Sequence, residues 1–281
     1  MKLSFTKMHG CGNDYVYFNC FSDEVPNPEK LAISLSDHHF GIGGDGIILI
    51  CPSDVADAKM RMFNADGSEG KMCGNGIRCV GKYLYDYGMV GDKTQITVET
   101  LSGIKTLDLY PENGKVKTVR VDMGAAMLSP KDIPVYLDGE RIVDAPLVID
   151  EKVYHITCVS MGNPHCVVFV KEDVDSLDLE RIGPKFENNP LFPERVNTEF
   201  VNILSDGTLK MRVWERGSGE TWACGTGACA VGVTAVLSGL FKKGEDITVH
   251  LRGGDLVINY TDQTVLMTGP ATTVFEGTID I

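Results

Sequence analysis

An internal duplication constrains this chain more than any other feature. Phe63–Gly88 reads FNADGSEGKMCGNGIRCVGKYLYDYG, and Trp214–Gly239 reads WERGSGETWACGTGACAVGVTAVLSG. The two segments align without a gap at an offset of 151. Phe63 meets Trp214, Glu69 meets Glu220, Cys73-Gly74 meets Cys224-Gly225, Gly76 meets Gly227, Val80-Gly81 meets Val231-Gly232, and Gly88 meets Gly239. A second pair lies upstream at nearly the same offset: Gly12-Asn13 in HGCGNDYVYF and Gly162-Asn163 in MGNPHCVVFV, each just before a strand-like apolar run. Two separate motifs sharing one offset argue against a chance likeness of glycine-rich loops. The chain therefore reads as two homologous α/β halves facing one another, each contributing one CG-x-G loop.

Local patterns agree with that plan. β-rich runs occur at 47–50, 95–99, 105–109, 118–122, 153–160, 166–170, 208–214, 248–251 and 255–260. Helices are predicted after each CG-x-G, over 75–87 and 226–238, each ended by a glycine. The second is apolar nearly all round, so it should be buried inside its half. A third helix is predicted over 28–38, with His38 and His39 as its polar end. The boundary between the halves is expected within 123–134.

Composition narrows the function. A net charge of −13 disfavours a nucleic-acid or membrane-surface binder, which needs a basic face. No run approaches the roughly 18–20 apolar residues of a membrane span, and the start, MKLSFTKMHG, has no secretion signal pattern. Nine cysteines, an odd number with no C-x-x-C, are expected to be reduced in a cytoplasmic protein. Those beside apolar residues, such as Cys51, Cys158 and Cys166, are expected to be buried fillers.

Cys73 and Cys224 stand apart. Each precedes a glycine-rich turn opening a helix, where free N–H groups and the helix dipole favour an anion or a thiolate. Lowering a thiol from ~8.5 to ~7 takes about 2 kcal/mol, whereas a helix terminus supplies ~0.3–1 and at most ~2. A partner base is therefore required, and His165 and Glu215, each in or beside a duplicated motif, are the best candidates. Two thiols across one cleft answer a specific need: inverting a stereocentre by proton transfer takes a base on one face and an acid on the other. A thiolate and a thiol of matched pKa can exchange those roles, and helix N-termini suit the enolate-like carboxylate that forms. No nucleotide-binding fingerprint and no evident pyridoxal-phosphate lysine are present. Cys79 and Cys229 are expected in the core. A metal site built from them with Cys73 and Cys224 has spacing unusual for zinc, so no metal is expected. Asn64, Asn163 and Asn197 suit loop capping or ligand contact equally, and Glu215-Arg216 suits either a solvated pair or a substrate clamp.

MCGNGIRC, GNPH, VNTEF, VWERGSGET and ACGTGA, with GCGNDY near the start and GPATTVFEG near the end, resemble the diaminopimelate epimerase family across essentially the whole chain. The resemblance implies an isomerase without cofactor that interconverts LL- and meso-diaminopimelate, on the route to lysine and peptidoglycan. It implies two pseudo-symmetric halves, each a β-barrel-like mixed sheet around a central helix. Residues 1–122, joined by 268–281, would form the half carrying Cys73, and residues 123–267 the half carrying Cys224. Catalytic roles carry over to Cys73 and Cys224, and pKa modulation to His165 and Glu215. Substrate contacts carry over to Asn13, Asn64, Gly74, Asn75, Asn163, Asn197, Glu215, Arg216, Gly225 and Thr226. Two departures stand out. Many members have a substrate-contacting Gln where this chain has Gly46, and many have a dimer-interface Tyr where it has Phe275. A homodimer is expected with Phe275 at its interface. Two alternatives compete: a proline or hydroxyproline racemase-type enzyme, whose first loop usually reads MCGHG, and a thiol redox switch in which the two cysteines cycle through a disulfide. A small-molecule binding protein without catalysis is a third option.

Overall fold

The computed structural model describes residues 1–281. In chain order its elements are β1 (Lys2–Gly10), β2 (Asn13–Asn19), α1 (Pro28–Ser36), β3 (Gly46–Cys51), β4 (Ala58–Asn64), β5 (Glu69–Gly70), α2 (Gly74–Asp86), β6 (Gln95–Thr100), β7 (Gly103–Glu112) and β8 (Lys115–Asp122). There follow β9 (Ala145–Ile149), β10 (Lys152–Ser160), β11 (Pro164–Phe169), α3 (Leu179–Glu187), β12 (Asn197–Ile203), β13 (Leu209–Glu215), β14 (Gly219–Thr221), α4 (Gly225–Leu237), β15 (Asp246–Leu251), β16 (Gly254–Tyr260), β17 (Val265–Pro270) and β18 (Thr272–Asp280). The chain forms two compact units, Met1–Asp122 with Thr268–Ile281, and Met123–Met267.

In the first unit β18, β1 and β2 pair antiparallel, β2 pairs β3 in parallel, and β3 and β4 are antiparallel. β4 pairs β6 in parallel, and β6, β7 and β8 close the sheet antiparallel. The second unit repeats the pattern. β9, β10 and β11 are antiparallel, β11 pairs β12 in parallel, β12 and β13 are antiparallel, β13 pairs β15 in parallel, and β15 and β16 are antiparallel. A parallel pair needs a crossover connection. Those crossovers contain α1 and α2 in the first unit, and α3 and α4 in the second. Helix α2 packs on β1, β2, β6, β7 and β8, and α4 on β10, β11, β12, β15 and β16. Each sheet thus curls around one helix, giving the mixed α/β architecture that the sequence implied.

The central helices are held by close approach. A Cβ built at Gly81 would lie 2.8 Å from Leu107 Cδ2, and one at Gly232 would lie 2.5 Å from Ile258 Cγ2. Both pairs obey the 151 offset, so the duplicated glycine is what lets each helix sit against its sheet. Fully buried Val231 and Val233 on α4 contribute about 1.5–3 kcal/mol each by burial. Cys79 and Cys229 are core residues, at 0% exposure.

Differences from the sequence reading have physical causes. Helix α1 ends at Ser36, because Asp37 turns to extended geometry and its carboxylate accepts from the N–H groups of His39 and Phe40. His38 and His39 therefore lie in a turn beyond the helix. β11 stops at Phe169, short of Val170. Helix α3 went unread because Gly183 and Pro184 interrupt its pattern. It forms because Asp178 caps it and Phe186 packs edge-on against Phe200 at 5.2 Å between ring centroids. Cys51, expected as a buried filler, is only half-buried.

Candidate functional site

Each unit presents a cysteine at the N-cap of its central helix. In the first unit Cys73 has extended backbone (φ −129°), and its Sγ accepts from the Gly76 N–H at 3.3 Å. That thiol also lies 3.2 Å from Asn13 Oδ1. The Tyr15 hydroxyl lies near enough to it to favour the thiolate. Asn13 is held by Asp45, whose Oδ2 accepts from Asn13 Nδ2 at 2.6 Å and from the Asp14 N–H at 3.0 Å. Behind the loop lies the fully buried Arg78, donating to Gly74 O at 3.1 Å, Asn75 Oδ1 at 2.9 Å and Pro270 O at 3.1 Å. The Asn75 side chain is therefore engaged by Arg78, and what Asn75 offers at the loop is its N–H. Asn64 Nδ2 donates to Ser68 Oγ at 3.0 Å.

In the second unit Cys224 is buried at the N-cap of α4, with Sγ 3.5 Å from Thr226 Oγ1. The Glu215 carboxylate interacts with this thiol and accepts from the Thr221 hydroxyl. His165 sits opposite Asn197 across the parallel β11–β12 ladder and is wholly buried. Its Nδ1 is 2.7 Å from Glu199 Oε1, and its Nε2 is 3.1 Å from Asn163 Oδ1. Both ring nitrogens thus face oxygens. Asn163 Nδ2 donates in turn to Thr226 Oγ1 at 3.3 Å. Asn197 Oδ1 accepts from the Arg216 N–H at 2.9 Å, and Arg216 Nη1 donates to Glu194 O at 2.9 Å. Asn197 therefore shapes the turn that presents Arg216.

The structure brings His165, Glu215, Asn163 and Thr226 to Cys224, and Asn13, Gly74 and Asn75 to Cys73. Three residues that the motifs did not single out join them: Tyr15, Asp45 and Glu199. The duplication could have found two of them. Tyr15 follows Asn13 by two, as His165 follows Asn163, and Glu199 stands 151 positions after Ile48. The repeats also contain an unread pair: Arg61 with Glu69 (2.7 Å) and Arg212 with Glu220 (2.7 Å) brace β4 and β13 at equivalent places.

The two thiols have different neighbours at equivalent positions. Around Cys73 the equivalent positions hold Tyr15, Ile48 and Asn64. Around Cys224 they hold His165, Glu199 and Glu215. Burial raises the Cys73 thiol, opposed by the N–H groups of Gly76 and Asn75, the Tyr15 hydroxyl and the Arg78 charge. Burial also raises Cys224 well above its ordinary value, and there the carboxylates of Glu215 and Glu199 add to it, with the Thr226 hydroxyl and the Gly227 N–H opposing. Glu215 is itself raised by burial, against hydrogen bonds from Thr221 and Cys224 and the charge of His165. Burial thus raises both thiols, and the two differ in their charged neighbours: Arg78 beside Cys73, and Glu215 and Glu199 beside Cys224.

His165, Glu199 and Cys224 each offer one donor atom, all within 4.8 Å of one another. His165 Nδ1 and Glu199 Oε1 are joined by their own hydrogen bond at 2.7 Å. Gly46, where a family side chain was missing, is closed to substitution: a Cβ there would lie 2.0 Å from the Phe63 carbonyl oxygen. Its φ of +156° also disfavours a side chain.

The profile of the diaminopimelate epimerase family matches residues 5–129 and 157–274. The chain belongs to the diaminopimelate epimerase family. A diaminopimelate epimerase from Agathobacter rectalis is 58% identical over 288 residues, covering 99% of this chain and 100% of that one. One from Acetivibrio thermocellus is 58% identical over 281 residues, covering 99% of each. Among solved structures, a probable proline racemase from Agrobacterium radiobacter superposes with a TM-score of 0.75 at 17% identity, over 99% of this chain and 93% of that one. A phenazine biosynthesis protein of the PhzF family from Bacillus anthracis gives 0.74 at 18% identity, over all of both chains. At those identities the likeness is one of fold. No helix is long and apolar enough to cross a membrane.

Proposed function

We propose that this member of the diaminopimelate epimerase family is a cofactor-independent isomerase that epimerises one α-carbon of diaminopimelate with Cys73 and Cys224 as its two acid–base groups. The observation that carries the reading is the pair of cysteines at the N-cap positions of the two duplicated central helices. In one direction Cys73, supported by N–H groups, Tyr15 and Arg78, acts as the thiolate and removes the α-proton. The electron pair passes into the adjoining carboxylate, which the helix N-terminal N–H groups stabilise. Cys224, kept protonated by burial beside Glu215 and Glu199, delivers its proton to the opposite face. Cys73 is then a thiol and Cys224 a thiolate, and the reverse reaction runs from that state. His165 stabilises the Cys224 thiolate, and Glu199 fixes the ring.

The distal amino-acid group falls to Arg216 and Glu215, with Asn64, Asn163 and Asn197 supplying directed hydrogen bonds. Arg offers a planar fork for a carboxylate, and a carboxylate accepts from an ammonium. Phe275, half-exposed and packed edge-on against Phe5 at 5.9 Å, suits the interface of a homodimer. A cytoplasmic site of action suits nine free thiols.

The test is incubation with LL-diaminopimelate in deuterium oxide, followed by chiral analysis and mass spectrometry. The expected product is meso-diaminopimelate carrying deuterium at the inverted centre from early conversion. Inversion with full retention of the original hydrogen would exclude separate donor and acceptor groups. Equal catalytic efficiency on proline would replace the substrate assignment.

A further inference from the structure

We propose that Cys20 and Cys51 form a second thiol pair, separate from the epimerisation residues, which a hydroperoxide converts to an intramolecular disulfide. The pairing follows from strand register. β2 and β3 run parallel with Asn19 opposite Ile50, and the Cys20 N–H donates to Ile50 O at 2.8 Å. One step along the ladder, Cys20 falls opposite Cys51. Neighbouring strands lie about 4.8 Å apart, within the roughly 4.4–6.8 Å between Cα atoms that a disulfide spans. Both side chains lie on one face of the sheet, against the cluster of Phe18, Leu49 and Phe63, and both are partly exposed. The Cys20 thiol lies 4.0 Å from Phe18 O, and the two thiols are close enough to perturb each other. Cys20 stands just past the end of β2.

The two thiols are not equivalent. Lys59 pairs with Cys51 across the β3–β4 ladder, and Arg61, two residues on along the same face, stacks over Phe63 at 5.0 Å. The proximity of Cys20 lowers the Cys51 thiol most, and Arg61 and Lys59 add to it, while burial and Glu69 oppose. Cys20 is raised, first by its proximity to Cys51, then by burial and by the charge of Cys51. With Lys59 opposite it and Arg61 on the same face, Cys51 is the nucleophile and Cys20 the resolving thiol. The Cys51 thiolate attacks one peroxide oxygen, the O–O bond breaks, the departing alkoxide or hydroxide takes a proton, and Cys51 becomes a sulfenic acid. The Cys20 sulfur then attacks that sulfur. A disulfide forms, and the Cys20 proton leaves with the sulfenic hydroxyl as water. The peroxide is reduced by two electrons and the two thiols are oxidised by two.

The test is graded hydrogen peroxide on the full chain, then alkylation and peptide mapping. The expected result is a Cys20–Cys51 cross-linked peptide that dithiothreitol reverses. In Cys20→Ser, dimedone should label Cys51. In Cys51→Ser, Cys20 should remain alkylatable. Lys59→Gln and Arg61→Gln should each slow cross-linking about threefold to tenfold, with unchanged thermal melts reporting an intact fold. Mapping that recovers Cys20 and Cys51 as free thiols, or as separately overoxidised residues without the cross-link, overturns the proposal. Dimedone labelling of Cys20 but not Cys51 in the reciprocal variants overturns the assignment of the nucleophile.

Discussion

Tyr15→Phe isolates the contribution of one hydroxyl to Cys73. Tyr15 is buried, at 4% exposure, and Phe has the same ring, so the substitution opens no large cavity. Burial, and then the charges of Cys73 and Asp45, push the Tyr15 hydroxyl well above its ordinary value, so it stays protonated and acts as a donor. A hydrogen bond to a charged group contributes about 1.5–3 kcal/mol. At about 1.4 kcal/mol per unit, its loss should raise the Cys73 thiol by roughly one to two units. The population of thiolate at a given pH below that value falls about 10- to 100-fold. In the direction where Cys73 is the base, the acid limb of the pH profile of kcat/KM should move up by the same one to two units. The assay is that profile in each direction, paired with titration of the ultraviolet thiolate absorbance and with a thermal melt. An acid limb that stays in place while the fold is intact would refute the donor role of Tyr15.

Cys73→Ser and Cys224→Ser should each lower epimerisation by about 10²–10⁴-fold, because a serine hydroxyl is far less acidic than a thiol; turnover near that of the parent in either variant would remove the two-base mechanism. Glu199→Gln keeps an acceptor for His165 but removes a negative charge beside Cys224, so the thiol should fall toward its ordinary value. Alkylation of Cys224 by iodoacetamide should then rise about tenfold, one unit's worth, and an unchanged rate would argue that Glu199 acts only by packing. Stability should fall in alkali. Burial raises Cys79 from its ordinary 9.0 to about 11, so the folded chain keeps a proton that the unfolded chain releases. That stabilisation is whole below pH 9 and is lost as pH rises toward 11, by about 3 kcal/mol at the linkage of one unit per 1.4 kcal/mol. Urea melts across that range should show a steeper decline for the parent than for Cys79→Ala, and parallel declines would count against it.

Most of the frame was legible because its signals are local. Cys-Gly-x-Gly followed by small apolar residues and a closing glycine marks a helix start and stop within one segment, and α2 and α4 fall within a residue of the predicted spans. Helix α3 was not legible, since Pro184 breaks the pattern that tertiary packing of Phe186 restores. Short strands such as β5 and β14 carry too few residues to show an alternation, and they exist because their partners β4 and β13 supply the ladder.

By itself the sequence determined the repeat, the placing of Cys73 and Cys224 at two helix starts, and the family to which those motifs belong. Tertiary structure decided what surrounds each thiol. Glu199 meets His165 because β11 and β12 pair in parallel across a crossover of some thirty residues, and no local pattern encodes that register. The same pairing in the first unit puts Tyr15 beside Cys73 and an aliphatic Ile48 where Glu199 would stand. Gly46 shows the limit in the other direction: the sequence recorded a missing side chain, but only the fold revealed that the Phe63 carbonyl leaves no room for one. Backbone periodicity specifies elements one at a time, whereas the charge felt by a buried thiol is the sum over neighbours that only folding assembles.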